Sequence, residues 1–298
     1  MTLEMLLREG KERLAEAGVA DAALDARYLL LDVWEMNLAA FLTCRGRELS
    51  PDRNREEGER IRRYRELIEQ RAGRTPLQQL TGCQEFMGLP FRVNAHVLIP
   101  RQDTETLVEL VLKEQAGSGG ALLDMCTGSG CIAVSLAKLG DFSRVVAADI
   151  SREALEVADE NRRAILEDEG ERLLLAESDM FAQIGRRERF DVITSNPPYI
   201  PSQVIEGLEP EVRDHEPRLA LDGAADGLKF YRILADGCRE HLIPGGYVYM
   251  EIGWDQAEDV KRIFEDHGYK KLTVTKDMAG LDRVVRAVWP GKGEENHV

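Results

Sequence analysis

The sequence predicts a mixed α/β fold: a seven-stranded sheet preceded by a small N-terminal helical domain that a β-hairpin joins to it. Three observations predict it. Residues 1–75 show apolar spacing of helical period without strand alternation, residues 84–94 read as a hairpin, and from residue 121 short apolar runs alternate with helical segments.

In the first segment Leu3, Leu6, Leu7 and Leu14 recur at helical spacing, Ala22 to Trp34 continues the pattern, and a further stretch runs from Pro51 to Ala72. That stretch carries Arg53, Arg55, Arg60, Arg62, Arg63, Arg65 and Arg71, but Glu56, Glu57, Glu59, Glu66 and Glu69 are interleaved. Such neutralised charge predicts a solvated helix face rather than an RNA contact. The hairpin is read from Gln84–Met87, a turn at Gly88-Leu89-Pro90, and Phe91–Val93. Asp103 is expected to cap a helix that begins at Thr104. Strands are expected at 121–125, 144–149, 172–176, 190–195, 246–252, 271–275 and 283–288, the last two an antiparallel pair around Asp277–Gly280. Helices are expected at Ala154–Arg163 and Gln256–Asp266.

Composition narrows the function classes. The chain has 298 residues, enough for two domains, and no apolar run approaches the roughly 18 residues of a membrane span. Met1–Lys11 carries acids and lacks a secretory-signal pattern, so a soluble cytoplasmic protein is expected. Five scattered cysteines without a C-x-x-C pair point to neither a disulfide framework nor a zinc site, and no metal is expected. The net charge of −15 is uneven: 14 basic and 16 acidic residues precede residue 91, and 25 and 38 follow. An acidic C-terminal half argues against stable binding to a phosphate backbone and suits a basic or neutral partner surface.

The most informative feature is Asn196-Pro197-Pro198-Tyr199, directly after the apolar run Phe190–Ser195. Two prolines fix backbone torsions, so the Asn196 amide oxygen and the Pro197 carbonyl can converge as paired acceptors for a planar NH2 group, with Tyr199 offering an aromatic face. Upstream, an apolar run ends at Asp124, a glycine-containing turn follows at Thr127–Gly130, and a helical pattern opens at Cys131. Strand, tight loop and helix let backbone approach a nucleoside closely, and Asp149, ending the run Val145–Ala148, is placed to accept from ribose hydroxyls. The loop alone leaves a nicotinamide dinucleotide and S-adenosylmethionine open, since Gly128-x-Gly130-x-x-Ala133 with an acid about 20 residues on satisfies both. The tetrapeptide decides for S-adenosylmethionine: an enzyme methylating an NH2 nitrogen must hold it, whereas a dehydrogenase has no evident use for paired acceptors after its fourth strand. Without function, residues 196–199 would be an ordinary proline-rich turn.

These residues resemble the release factor glutamine methyltransferases, class I S-adenosylmethionine enzymes that modify the Gln of a Gly-Gly-Gln motif. The resemblance covers almost the whole chain: Pro76-Leu77, Leu80-Thr81-Gly82, Leu98 to Glu105, Asp124 to Ala133, Asn196 to Tyr199, His215-Glu216-Pro217, Asp226-Gly227, Tyr231-Arg232, Pro244-Gly245-Gly246 and Asp282-Arg283. It implies a class I methyltransferase (Rossmann-like) sheet and a division into a helical substrate-recognition domain (1–75), a hairpin linker (76–98), a methyltransferase domain (99–290) and a tail (291–298) that is expected to be disordered. It implies class I peptide chain release factors as the protein substrate. Two positions depart from the family pattern: Cys126 stands where the family's loop usually opens with Gly, and Gln102 stands in place of the second Pro of Ile-Pro-Arg-Pro-Asp-Thr-Glu.

The expected site follows. Asn196, Pro197 and Tyr199 are the catalytic set, joined by Pro198 and Arg101 in holding substrate. Cys126, Thr127, Gly128, Ser129, Gly130, Asp149 and Asn196 are expected at the cofactor, with Asp179 or its backbone at the adenine and Phe181 packed on the adenine plane. His215 and Glu251 are read either as loop-ordering and cleft residues or as structural ones. Two rival functions use the same residues: an N6-adenine nucleic-acid methyltransferase, which flips a base into such a tetrapeptide, and a ribosomal-protein glutamine methyltransferase. The acidic half and the lack of a long basic insertion disfavour the first; Asp103-Thr104-Glu105 after Pro100-Arg101 resembles the release factor branch rather than the second. A non-catalytic binding protein is disfavoured by the intact tetrapeptide.

Overall fold

The structure, a computed structural model, describes residues 1–291 apart from the side chains of Asp168 and Glu169. The expected tail lies, from Lys292 onward, outside the described residues. The chain divides into two units, one formed by Met1–Cys83 together with Glu209–His215, the other by Gln84–Leu208 and Glu216–Val298. The expected boundary at residue 75 therefore shifts, and a short segment distant in sequence groups with the helical unit.

The helical unit contains α1 (Leu3–Glu16), α2 (Ala22–Val33), α3 (Leu38–Cys44), α4 (Arg55–Ala72) and α5 (Leu77–Thr81). Thr2 caps α1 by accepting from the Met5 N–H, and Asn54 caps α4 by accepting from Glu56 and Glu57. The leucines spaced along α1 are all buried against Ile61, Tyr64, Leu67 and Ile68 of α4. Gly10 permits that contact, since a Cβ there would stand 2.0 Å from the Tyr64 hydroxyl. Along α4, Arg55, Arg60 and Arg62 pair with acids one turn away and Arg65 with Glu9, as a solvated charged face requires. Arg71 is the exception, being buried.

In the second unit a two-stranded hairpin, β1 (Cys83–Phe86) and β2 (Leu89–Arg92), turns at Met87 and Gly88, both with positive φ. Phe86 and Phe91 pack edge to face, 5.9 Å between ring centroids, inside the sheet's core, so the hairpin is part of this unit's packing rather than a free linker. The chain continues with α6 (Gln102–Glu114), β3 (Ala121–Met125), α7 (Cys131–Leu139), β4 (Arg144–Asp149), α8 (Arg152–Leu166), β5 (Leu173–Glu177), β6 (Phe190–Ser195), α9 (Ser202–Ile205), α10 (Pro210–Arg213, in the helical unit), α11 (Lys229–His241), β7 (Leu242–Glu251), α12 (Ala257–Asp266), β8 (Lys270–Lys276) and β9 (Asp282–Val288).

The seven-stranded sheet has the order β5-β4-β3-β6-β7-β9-β8, parallel except where β9 runs against β7 and β8. Central strands are buried on both faces, which is why they read in sequence as continuous apolar runs. Two expectations are corrected. Strand β7 starts at Leu242, before Pro244-Gly245, because its pairing shifts from Phe190↔Leu242 to Val192↔Tyr247 and bulges out the residues between. Helix α6 starts at Gln102 with Arg101 at the cap position and no side-chain cap, so Asp103 lies in the first turn and its carboxylate meets Arg283 at 3.2 Å.

Candidate active site

Strand order reverses at β3, whose neighbours are β4 and β6, and a ligand crevice forms at the carboxyl ends of strands at such a switch point. A cavity of about 280 Å³ opens there. The loop after β3, the ends of β4 and β6, and residues around Pro100, Pro217 and Phe230 wall it.

The glycine loop is braced from below. The Thr127 N–H donates to the Ala148 carbonyl at 3.0 Å, and the Thr127 hydroxyl turns inward to donate to Asp124 at 2.6 Å. The Thr194 hydroxyl donates to the other Asp124 oxygen at 2.8 Å, so one buried carboxylate links β3, β6 and the loop. Asp149 accepts from the Gly128 N–H at 2.8 Å and from the Ser151 N–H at 2.9 Å, while remaining in the cavity wall. Burial raises its pKa against these backbone donors. Gly128 has open space where a Cβ would stand. Asn161, fully buried on α8, donates to the carbonyls of Ser129 and Arg92 and accepts from the Arg92 N–H, tying the loop to the hairpin.

Burial lifts Asp124 to about 7, despite the two threonine hydroxyls that favour its ionised form. A carboxyl raised on folding contributes stability that is present below its unfolded pKa and lost as pH rises through the folded one. Asp124→Asn removes this dependence, so the variant should gain on the wild type between about pH 4 and pH 7, read from urea midpoints at several pH values. A constant difference across that range would show that Asp124 does not titrate on folding.

Cys126, Thr127, Gly128, Ser129, Asp149, Asp179, Asn196, Pro198 and Arg101 all line the cavity. Gly130 lies just behind, as the residue before α7. Phe181 does not reach the wall: its ring lies 5.3 Å from that of His241, nearly parallel, and against Gly237, where a Cβ would come within 2.0 Å of it. The expectation that it packs on adenine is corrected, because α11 takes up its face. Ile150, directly after Asp149, is the half-exposed apolar residue that the wall offers instead.

At the end of β6 the Asn196 Nδ2 donates to the Thr104 hydroxyl oxygen at 3.3 Å. The Asn196 Oδ1 and the Pro197 carbonyl accept no hydrogen bond from the described residues. Tyr199 lies outside the wall: it is largely buried and its hydroxyl donates to Glu251 Oε1 at 3.2 Å. The Tyr199 carbonyl accepts from Gln256 at 3.0 Å. Burial raises both the Tyr199 phenol and the Glu251 carboxyl above their ordinary pKa. Arg101 is held by Glu216, whose side chain is 1% exposed, at 2.6 Å. Burial raises the pKa of Glu216 against the pull of Arg101. Glu216 also accepts from the Ile99 N–H at 3.4 Å, which ties it to the segment that carries Arg101. His215 groups with the helical unit, where its carbonyl accepts from Gln79 at 2.9 Å.

Over almost its whole length the chain is similar to proteins of one family. The PrmC N-terminal domain model matches residues 5–82 and the methyltransferase small domain model residues 102–207. A Geobacter sulfurreducens protein named release factor glutamine methyltransferase is 41% identical over 284 residues, covering 95% of each chain. The chain belongs to the release factor glutamine methyltransferase family. A Moorella thermoacetica member is 42% identical over 285 residues, 95% of this chain and 97% of its own. Among solved structures, the hMettl16 catalytic domain in complex with the MAT2A 3'UTR hairpin 6 aligns with a TM-score of 0.55 at 16% identity over 76% of this chain and 83% of that one, a likeness of fold alone.

The two departures from the family pattern have different weights. Gln102 occupies the first position of α6, where Pro is favoured but not required, so the segment keeps its helix start. Cys126 adopts φ 61°, left-handed backbone that costs a side chain about 1–2 kcal/mol. Its Sγ lies 3.8 Å from the Met180 Sδ in the wall. Cys126→Gly relieves that strain but adds about 0.5–1 kcal/mol of chain entropy to the unfolded state, so stability should hardly change. Affinity for S-adenosylmethionine should not weaken, and calorimetry that found a large loss would show the thiol to be a cofactor contact. Thr104, Asn161, Glu216 and Gln256 are site residues that sequence reasoning missed. Two of them had a signal: Glu216 as the acid within His-Glu-Pro, and Thr104 within the segment Ile99 to Glu105, which the resemblance sets at the border of the pocket.

Among the described residues no helix is long and apolar enough to cross a membrane and no cluster of metal-ligating side chains appears.

Proposed function

We propose that this protein transfers a methyl group from S-adenosylmethionine to the side-chain amide nitrogen of the Gln in the Gly-Gly-Gln motif of class I peptide chain release factors. The observation that carries this reading is Asn196 in the cavity wall beside the glycine loop with its Oδ1 unpartnered; the Pro197 carbonyl, next in the chain, is also unpartnered, though Pro197 is buried and outside the wall. An NH2 group has two hydrogens to donate, and adjacent acceptors on a proline-fixed backbone match both.

The donor set also fits the cofactor. Asp149 keeps lone pairs for ribose hydroxyls beyond its two backbone bonds, Gly128 leaves open space at the loop, and Asp179 with Ile150 borders the place for a base. When bound, S-adenosylmethionine supplies an electrophilic methyl. Everything else is positioning by the chain. An amide nitrogen is a poor nucleophile because its lone pair is delocalised into the carbonyl, and Asn196 and Pro197 compensate by fixing its direction. The methylated nitrogen is strongly acidic, so its proton leaves after transfer and no dedicated base is required. Arg101, immobilised by Glu216, faces the same cavity and is assigned to the substrate's main chain. The helical unit is assigned to substrate recognition, and the cytoplasm is the compartment in which such a substrate is met.

Peptide mass spectrometry on a class I release factor incubated with the protein and S-adenosylmethionine tests this, with DNA and ribosomes as controls. One added methyl on the Gln of Gly-Gly-Gln is expected. No methyl there, with transfer to adenine or a ribosomal protein, would overturn the substrate.

A further inference from the structure

The substrate amide can be gripped only if Asn196 presents oxygen, and not NH2, to the cavity. An asparagine amide is nearly symmetric in shape, so its orientation is decided by what bonds its two ends. Here the Nδ2 end donates to Thr104 Oγ1 at 3.3 Å. Thr104 is 2% exposed, lines the cavity from the first turn of α6, and is 92 residues from Asn196 in sequence. That hydroxyl oxygen has lone pairs to receive an N–H, and this is the hydrogen bond that the Asn196 side chain makes among the described residues.

We infer that Thr104 is a positioning residue that fixes the amide of Asn196 with its nitrogen inward and its oxygen toward the substrate nitrogen. The inference rests on the amide-gripping role proposed above and deepens it. With Thr104 holding the nitrogen the site admits an NH2 donor; with the amide reversed, two NH2 groups would face each other and alignment would fail.

Thr104→Val keeps the shape and removes the acceptor; Thr104→Ser keeps the acceptor. With the release factor as substrate, Thr104→Val is expected to lose about tenfold in kcat, the weight of one hydrogen bond, while KM for the release factor stays within about twofold. Thr104→Ser is expected to recover most of the rate. Calorimetry with S-adenosylmethionine should give the wild-type affinity for both variants, which separates misalignment from a damaged fold. Full kcat in Thr104→Val, while Asn196→Ala is crippled, would overturn the positioning role and leave the function standing. An equal loss in Thr104→Ser and Thr104→Val would overturn it too, since a shape effect would then explain both. Failure of the wild type to methylate the release factor would take down both readings.

Discussion

Asn196→Ala is expected to lower methyl transfer to a release factor by about 10²-fold or more, the usual cost of losing one preorganised polar contact to the reacting group. The side chain sits at the end of β6 with Nδ2 committed to Thr104 and Oδ1 unpartnered, so truncation removes one of two acceptors without disturbing the buried strand. Because the lost interaction matters for alignment rather than for docking of a whole protein, kcat should carry most of the loss and KM for the release factor little. The glycine loop keeps its own supports in Asp124, Asp149 and Asn161, so binding of S-adenosylmethionine should change far less than turnover. Single-turnover transfer monitored by mass spectrometry, with calorimetry on the same preparation, separates the two quantities. Near wild-type turnover by the variant would sink the amide-gripping mechanism.

What the sequence disclosed and what it hid divide along physical lines. Strands β3, β4 and β6 were legible because a parallel strand covered on both faces must be apolar throughout, and Leu122, Leu123, Val145 and Ile193 say so in one letter each. The glycine loop and the tetrapeptide were legible because Gly and Pro constrain backbone directly. Hidden were features that depend on partners far along the chain. Phe181 has the right position for a base-stacking ring, but Gly237 and His241 on α11 take its face. Tyr199 offers an aromatic face in sequence, yet its hydroxyl is drawn to Glu251 at the end of β7. Thr104 looks like a helix-start residue; only the fold puts it beside Asn196. Asp103 has the residue type of a cap, but Arg283 competes for its carboxylate. The Pro244-Gly245 pair hid the first residues of β7, because a bulge can absorb what a regular ladder cannot.

The largest effect on stability is expected at Arg71. Composition groups it with the solvated arginines of α4, yet its side chain is only 9% exposed. Its Nε donates to Asp25 at 2.7 Å and its NH1 to Glu211 at 2.9 Å, so it bridges α2 to the segment Glu209–His215 within the helical unit. Arg74 donates to the other Glu211 oxygen at 2.7 Å. Removing the guanidinium strands the Asp25 carboxylate, which is 8% exposed, and halves the support of Glu211. Breaking a buried pair from one side costs about 3–5 kcal/mol, against under about 1 kcal/mol for an exposed pair, so Arg71→Ala should fall in the first class by urea unfolding of the intact protein. A loss below about 1 kcal/mol would mean that both carboxylates regain water when the arginine goes. The pH dependence gives a second handle. Burial alone would raise Glu211, but hydrogen bonds from Arg74 and Arg71 hold it below its ordinary value. A carboxyl depressed on folding contributes stability that is present above its unfolded pKa and lost as pH falls through the folded one. The gap between wild type and Arg71→Ala should therefore narrow as the solution is acidified below the ordinary carboxylate range. Replacing Asp25 and Arg71 together with apolar residues of similar volume should recover part of the loss, because the cost lies in the unpaired charge and not in the absence of the bridge.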